Sequence, residues 1–528
     1  MPGVSSFRDT LVRTARGALA GLLAGFAALA VAELVAGLSR PAAGPVTVVG
    51  GAVIDRTPAT VKDFAIRTFG ENDKTVLQLG ILLVLALFAV VLGVAALRYR
   101  RTGAAGVLVF GIVGAVAALS RPDAEGAGDV LPSLAGTLAG AAVLFVLAGK
   151  ATPAGSPSGD DGTRGGWSRR GFLTAATVTA VAATGAGGLG RALSGQRGRG
   201  ALASRDRLVL PAPASPAPPV PSGARPKVPG ISAFTTSNRD FYRVDTALVV
   251  PRVDAGTWRL RVHGKGVPRP RSYTLDQLLA RPLIERDITL TCVSNEVGGP
   301  YVGNARWLGV PLAGLLSECG VEPPSKGGRA DQLVARSVDG MTLGSPVEDV
   351  MDGRDAMLAV GMNGEPLPFD HGFPVRMIVP GLYGYVSACK WITGIELTTF
   401  DAYDPYWVKR AWARRAPVKT QARIDTPKPF ARPAVGTVVI AGVAWAQHRG
   451  ITRVEVRVDD GPWQDADLAA RDTDDTWRHW SHRWQATPGG HTLAVRATDG
   501  TGAVQTEQRA RTVPDGASGW HSVFVTVT

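Results

Sequence analysis

No histidine precedes His263 and no cysteine precedes Cys292 in this 528-residue chain. The first half therefore lacks the paired imidazoles that a b-type haem in a helical bundle requires, and it has no thiolate for a metal. Three cysteines, Cys292, Cys319 and Cys389, are too few and too odd in number for a disulfide framework, so a role for any of them must come from its local motif. Charge is sparse as well. Only 19% of residues are charged against 45% hydrophobic, a balance that places part of the chain in a membrane. The net charge of +13 suits nucleic acid, a membrane surface or an anionic ligand. No nucleic-acid motif is present and many arginines flank apolar segments, so no nucleic-acid partner is expected.

What is present divides sharply. Residues 1–200 are rich in Ala, Gly, Val and Leu, whereas the Trp, His and Cys all lie after residue 160. Crossing a hydrocarbon core of about 30 Å takes roughly 20 helical residues. Within 1–150, four stretches meet that length: about 15–38, 76–97, 103–120 and 130–149. The second, "VLQLGILLVLALFAVVLGVAAL", carries no charge and no amphipathic period, which argues against a buried soluble helix. Arg8, Arg13 and Arg16 precede the first stretch and Arg98, Arg100 and Arg101 link the second to the third, so those ends read as cytoplasmic. The loop 121–129, with Asp123, Glu125 and Asp129, then falls outside. Glu33, the one buried-looking ionisable residue there, reads equally as snorkelling or paired and as part of a conduction path.

Residues 151–190 are read as a cytoplasmic loop followed by a fifth, small-residue-rich segment at about 171–190. At 168–173 stands "SRRGFL", which resembles a twin-arginine export signal. The alternative is that Arg169 and Arg170 only hold the cytoplasmic end of a helix. In the export reading, the domain behind the signal crosses the membrane already folded, with its cofactor in place. A proline-rich spacer is expected over 191–230, where "PAPASPAPPVPSGARPKVPG" favours extended chain.

From about residue 231 the pattern changes to short strands and helices. "TWRLRVHG" alternates as a strand, "TLDQLLA" starts a capped helix, and "DITLTCVSN" is an apolar strand running into a polar turn with Cys292 at its end. By composition alone, such a cysteine is a small buried hydrophobe. The surrounding motifs change that reading. "TLTCVSNEVGGPYVGNARWLGVPLAGLL" resembles the molybdenum-binding stretch of the sulfite oxidase family, and "MNGEPLPFDHGFPVRMIVPGLYGYVSACKW" resembles its pterin-binding segment. The resemblance covers about 231–528 and leaves the first 200 residues outside it.

That resemblance implies molybdenum on a single pyranopterin, with Cys292 as the metal's thiolate ligand; soft sulfur donors suit a metal cycling between Mo(VI) and Mo(IV). It further implies a cofactor-binding set of Tyr242, Arg243, Cys292, Asp339, His371, Arg376, Ser387 and Lys390. Arg376 would grip the pterin phosphate as a fork, Lys390 would add a point charge, and His371 would hydrogen-bond the pterin. Arg243, in "DFYRVDTALVV", would act with Cys292 as a catalytic residue by stabilising a substrate oxyanion. Taken singly, His371 reads as structural, Arg376 as a salt-bridge partner and Asp339 as a turn acid before Gly340. The chain also departs from the vertebrate pattern. Glu296 and Val297 stand where "AGNRR" supplies an arginine for sulfite, and Val360 stands near where a tyrosine precedes "MNG", so the anion pocket is altered.

Residues 425–528 hold "TVVIAGVAWA", "ITRVEVRVDD", "WRHWSHRWQA", "HTLAVRATDG" and "GWHSVFVTVT", short alternating strands between turn residues. They resemble the immunoglobulin-like dimerisation domain of the same family. The five histidines there have no metal spacing. The expected fold class is thus multi-domain: an N-terminal transmembrane helical bundle, an α+β sulfite-oxidase-type molybdopterin domain over 231–424, and a C-terminal immunoglobulin-like β-sandwich. The expected function is a membrane-anchored, exported oxidoreductase that transfers an oxo group to or from a small-molecule substrate. It would use a separate electron-transfer partner, carry no haem, form a homodimer through the C-terminal domain, and cross the cell membrane several times with its catalytic domain on the extracytoplasmic face. Two alternatives stand beside it. One is a reductase of sulfoxides such as methionine sulfoxide; the other is a partner-binding membrane protein with a degenerate molybdenum fold, against which Cys292, His371, Arg376 and Lys390 argue.

Overall fold

The computed structural model describes residues 3–57, 61, 68–69, 73–121, 124, 126–151 and 169–528. Ser168 of the arginine motif and the loop acids Asp123 and Glu125 lie outside the described residues. The chain divides into two units: Met1–Gly200 with Ala247–Val250, and Ala201–Thr246 with Pro251–Thr528.

Among the described residues, five helices are long and apolar enough to cross a membrane: Thr10–Leu38, Lys74–Ala96, Arg100–Leu119, Ala127–Ala151 and Arg170–Asp206. They cover the five segments read from the sequence. Their Ala- and Gly-rich composition has a packing reason. A Cβ on Gly21 would lie 1.9 Å from the Ala89 carbonyl oxygen, and one on Gly93 would lie 2.2 Å from that of Gly17, so only small residues permit this approach. A further helix, Pro45–Arg56, was not expected; its proline sits in the first turn, where a missing N–H is harmless. The helix that begins at Arg169 runs to Asp206, so residues 191–206 are helical where an extended spacer was expected. "RALSGQRGRGALASRD" contains no proline to stop it, and extended chain starts only ahead of Pro211.

In the second unit, β1 (Arg259–Gly264) turns Leu260 and Val262 inward while Arg259 and Arg261 stay exposed. It pairs in parallel with β10 (Ile392–Thr398) and antiparallel with β2 (Arg271–Thr274). With β5 (Gln332–Ser337) and β6 (Thr342–Pro346) these make a sheet ordered β2-β1-β10-β5-β6. The expected capped helix is Leu275–Leu279. Thr274 accepts the Gln277 N–H at 3.1 Å while the Gln277 side chain accepts the Thr274 N–H at 2.9 Å, a reciprocal capping box.

The second sheet runs β3 (Ile284–Thr291), β4 (Val302–Pro311), β7 (Met357–Met362), β8 (Glu365–Pro366), with β9 (Arg376–Ile378) also on β7. All six residues of β7 are buried, which is why this stretch reads as a continuous apolar run without alternation. β3 is the edge strand, and Cys292 follows its last residue.

The C-terminal part is a two-layer sandwich. One sheet is β11 (Gln421–Thr426), β12 (Gly436–Trp445), β16 (Arg478–Ala486) and β15 (Asp467–Leu468); the other is β14 (Gln464–Asp465), β13 (Ile451–Val458), β17 (Gly489–Asp499) and β18 (His521–Val527). Ile440 and Trp480 of the first meet Val454, Val495 and Val525 of the second in one core. All five expected strands are present. β11 begins at Gln421, ahead of the boundary drawn at 425, because its inward pair, Ala422 and Ile424, is too short a pattern to separate from a loop. Trp445 and Trp477 join the core of the preceding α+β region instead of the sandwich core.

Candidate functional site

Cys292 is 8% exposed. Its N–H donates to the Tyr301 carbonyl at 2.9 Å, its carbonyl accepts the Asn295 N–H at 3.0 Å, and Asn295 Oδ1 accepts the Tyr301 N–H at 2.8 Å, so the loop 292–301 closes back on the strand end. Burial pushes the Cys292 thiol up; hydrogen bonds from Ser294 and the charge of Lys390 oppose this. Tyr242 stacks on Phe241 with ring centroids 5.1 Å apart. Its phenol is raised first by burial and then by the Cys292 charge, and lowered by Arg376, which groups these three side chains electrostatically.

Arg376 opens β9 and is 6% exposed. Its guanidinium lies 5.3 Å from the centroid of the Trp307 ring, and its buried Nε has no hydrogen-bond partner. No ion pair to Arg376 is present among the described residues. Burial pulls its affinity for the proton down. A buried cation without a counter-charge is unfavourable by several kcal/mol, so an anion placed beside it would be stabilising.

His371 is buried, and its Nε2 lies 2.9 Å from the Asn238 carbonyl oxygen. A carbonyl only accepts, so Nε2 carries the proton and Nδ1 keeps a lone pair for a ligand N–H. Burial, helped by the Arg376 charge, pulls its pKa down to about 4. Lys390 Nζ donates to Asp245 Oδ2 at 2.8 Å and to the Asp370 carbonyl at 3.1 Å. Asp245 also pairs with Arg243 Nε at 3.1 Å, and Arg243 Nη1 lies 3.6 Å from Asp370 Oδ1. The charges of Arg243 and Lys390 are therefore already balanced by carboxylates, unlike that of Arg376. Gly372 (φ +108°) lets the turn after His371 approach the Lys390 backbone, since a Cβ there would fall 3.0 Å from Lys390 Cα.

The remaining expected residues sit differently. Asp339 lies in the turn between β5 and β6, where its Oδ1 accepts the Met341 N–H at 3.3 Å. Its charge, second to burial, raises the Cys389 thiol, so it belongs to the Cys389 side of the cluster. Ser387 is fully buried, and its Oγ donates to the Leu382 and Tyr383 carbonyls at 3.0 and 3.1 Å, which closes the local turn. Val360 is wholly inside the core and Glu296 is exposed on the loop. Cys319 is in the core 3.6 Å from the Tyr273 hydroxyl. Asp245 and Asn238 were missed. An acid two residues beyond Arg243 was the only signal for the first; a backbone carbonyl leaves none for the second.

Among the described residues no three His, Cys, Asp or Glu side chains gather for a metal ion. A metal at Cys292 must bring its other donors with it, as a chelating cofactor does. The unpartnered Arg376 Nε and the free Nδ1 of His371 fit the anionic and heterocyclic parts of such a group.

Burial depresses three histidines, and a pH dependence follows most strongly from His371 and His521, both at about 4 against an ordinary value of about 6.5. Between those values the unfolded chain binds protons that the folded one does not, so stability is full above pH ~6.5 and is lost as pH falls towards ~4. Each histidine contributes at most about 3 kcal/mol. Urea midpoints measured from pH 7 to pH 4.5 should fall, and should fall less steeply in His371→Asn.

Residues 247–407 match the family model described as "Oxidoreductase molybdopterin binding domain". Mitochondrial sulfite oxidase of Mus musculus is 30% identical over 342 residues, 56% of this chain and 62% of the mouse protein. Nitrate reductase [NADH] of Solanum lycopersicum is 35% identical over 182 residues, 30% of this chain and 20% of that protein. The solved sulfane dehydrogenase SoxCD from Paracoccus pantotrophus aligns with TM-score 0.49 and 25% identity over 56% of this chain and 82% of that one. The chain thus spans about three fifths of the length of the sulfite oxidases it matches.

Proposed function

We propose that this chain, whose residues 247–407 match the molybdopterin-binding oxidoreductase domain, is a membrane-anchored, exported oxidoreductase of sulfite oxidase type acting on a small, uncharged oxygen-bearing or oxygen-accepting substrate. The observation that carries the cofactor assignment is Arg376: a buried guanidinium with an unpartnered Nε, grouped with Cys292, Tyr242, His371 and Lys390. When bound, the molybdenum–pterin group supplies the two-electron change that moves an oxygen atom to or from the substrate. The chain's own residues bind and orient. Cys292 offers the thiolate, Arg376 the counter-charge for the pterin phosphate, and His371 Nδ1 an acceptor for a pterin N–H. Asp245 holds Lys390 and Arg243 in one arrangement. Tyr242 screens the site from water.

The test is the molybdenum and pterin content of the full chain made in a cofactor-producing host. Near-stoichiometric loading is expected, with Arg376→Met retaining at least tenfold less pterin, since a charge-assisted hydrogen bond contributes about 1.5–3 kcal/mol. Wild-type chain devoid of both would sink the assignment.

Sulfoxide reduction on the same fold is the second reading, and one observation favours it. Arg243, the cation assigned to a substrate anion, is already paired with Asp245 and Asp370. Sulfite should therefore be a poor substrate, with kcat/KM roughly ten- to a hundredfold below that of a neutral sulfoxide in the reducing direction. Efficient, tight sulfite oxidation would reverse that choice. Electrons exchange with a separate partner, the five apolar helices anchor the chain, and the sandwich, immunoglobulin-like in layout, serves for dimerisation.

A further inference from the structure

We propose that the C-terminal sandwich is a component of the Cys292 site, with Gln447 as its positioning residue. β3 is an edge strand, and an edge leaves outward N–H and C=O groups without partners. Ser215 pairs with the first residues of β3, and over its C-terminal half side chains and backbone of the sandwich take these groups up. The Thr289 N–H donates to the Asp475 carbonyl at 2.9 Å, and Gln447 Nε2 donates both to the Thr289 carbonyl at 2.9 Å and to Thr291 Oγ1 at 2.8 Å. The Trp477 N–H donates to Thr289 Oγ1 at 2.7 Å. Gln447 is 1% exposed and its Oε1 has no partner, so the one group it commits is the amide nitrogen, on the residue next to Cys292.

The other side of Cys292 is held too. Arg423 Nη1 on β11 donates to the Gly299 carbonyl at 2.8 Å, while its Nε is fixed by Asp425 Oδ1 at 2.8 Å. His521 on β18 packs so closely on Gly298 (φ +79°) that a Cβ there would lie 2.2 Å from the imidazole Cδ2. Strand end and loop are thus both clamped by the sandwich, and the thiol between them has little freedom of its own. A ligand pre-positioned in this way does not need ordering when its metal binds.

The functional consequence rests on Cys292 being the metal ligand; the positioning itself does not, and the test separates the two. In full-length chain expressed without molybdate, the alkylation rate of each cysteine is read by peptide mass spectrometry, with Cys319 and Cys389 as internal references. Gln447→Met keeps volume and removes both donors. It should raise the Cys292 rate about tenfold with Cys319 unchanged, because only the strand end opens. Val525→Ala, a cavity in the sandwich core, serves as a control matched for loss of Tm. Should it expose Cys292 as much as Gln447→Met, or should the three thiols open together, the positioning role is refuted. In loaded protein, Gln447→Met should lower kcat with KM little changed, and Gln447→Glu, which sets an acceptor against the Thr289 carbonyl, should not rescue it. Selective opening of Cys292 in a chain that never takes up molybdenum would uphold the clamp and overturn the cofactor assignment instead.

Discussion

Cys292→Ser abolishes turnover while the second unit keeps its fold. The thiol sits where β3 ends, only 8% exposed, and its backbone N–H and carbonyl are both engaged in the loop that carries it. Serine preserves those backbone bonds and nearly the same volume, so the stability change should be no more than about 1–2 kcal/mol. What it removes is the soft, ionisable sulfur; a hydroxyl stays protonated at neutral pH and is a hard donor. Turnover, metal content and Tm measured together distinguish ligand from packing element. Cys319→Ser is the contrast. That side chain is 0% exposed and touches Tyr273, so its replacement should lower Tm but leave turnover per folded molecule close to wild type. Near-normal activity of Cys292→Ser would overturn the site assignment.

The second large effect concerns where the catalytic unit ends up. Arg169→Lys combined with Arg170→Lys leaves the second unit on the cytoplasmic side, as read by protease accessibility in intact cells. The helix starts at Arg169, and lysine matches arginine closely in helix propensity, so the helix itself is unaffected. Positive charge is also unchanged, and orientation by the positive-inside rule counts charge alone. Any loss of export therefore reads recognition of the arginine pair itself. Normal export of the double variant would return both arginines to simple anchoring and remove the argument for transport of a folded, loaded domain.

Legibility of the site followed how local each feature is. Cys292 was visible because an apolar run ends at it, and His371, Arg376 and Lys390 because one continuous stretch carries them. Ser387 was in that same stretch, yet its hydroxyl turned inward to the Leu382 and Tyr383 carbonyls, a choice no motif records. Arg243 was read as a cation awaiting an anion, and the fold gives it two carboxylates first. The helix through residues 191–206 escaped notice because composition favoured the proline-rich half of the spacer over its Ala- and Arg-rich half.

By itself, the sequence determined the five long apolar helices, the capped helix after Thr274, the alternating strands of the sandwich, and the residue types gathered around Cys292. These rest on period, length and capping, which are properties of neighbours along the chain. Only the tertiary structure decided which of those residues are paired. Lys390 finds Asp245 across 145 residues and Gln447 finds Thr289 across 158, while the Arg376 Nε finds no partner among the described residues. The physical reason is that hydrogen bonds and ion pairs act over about 3 Å in space whatever the separation along the chain, so which side chains they join is set by the packing of β3, β9 and the sandwich against one another.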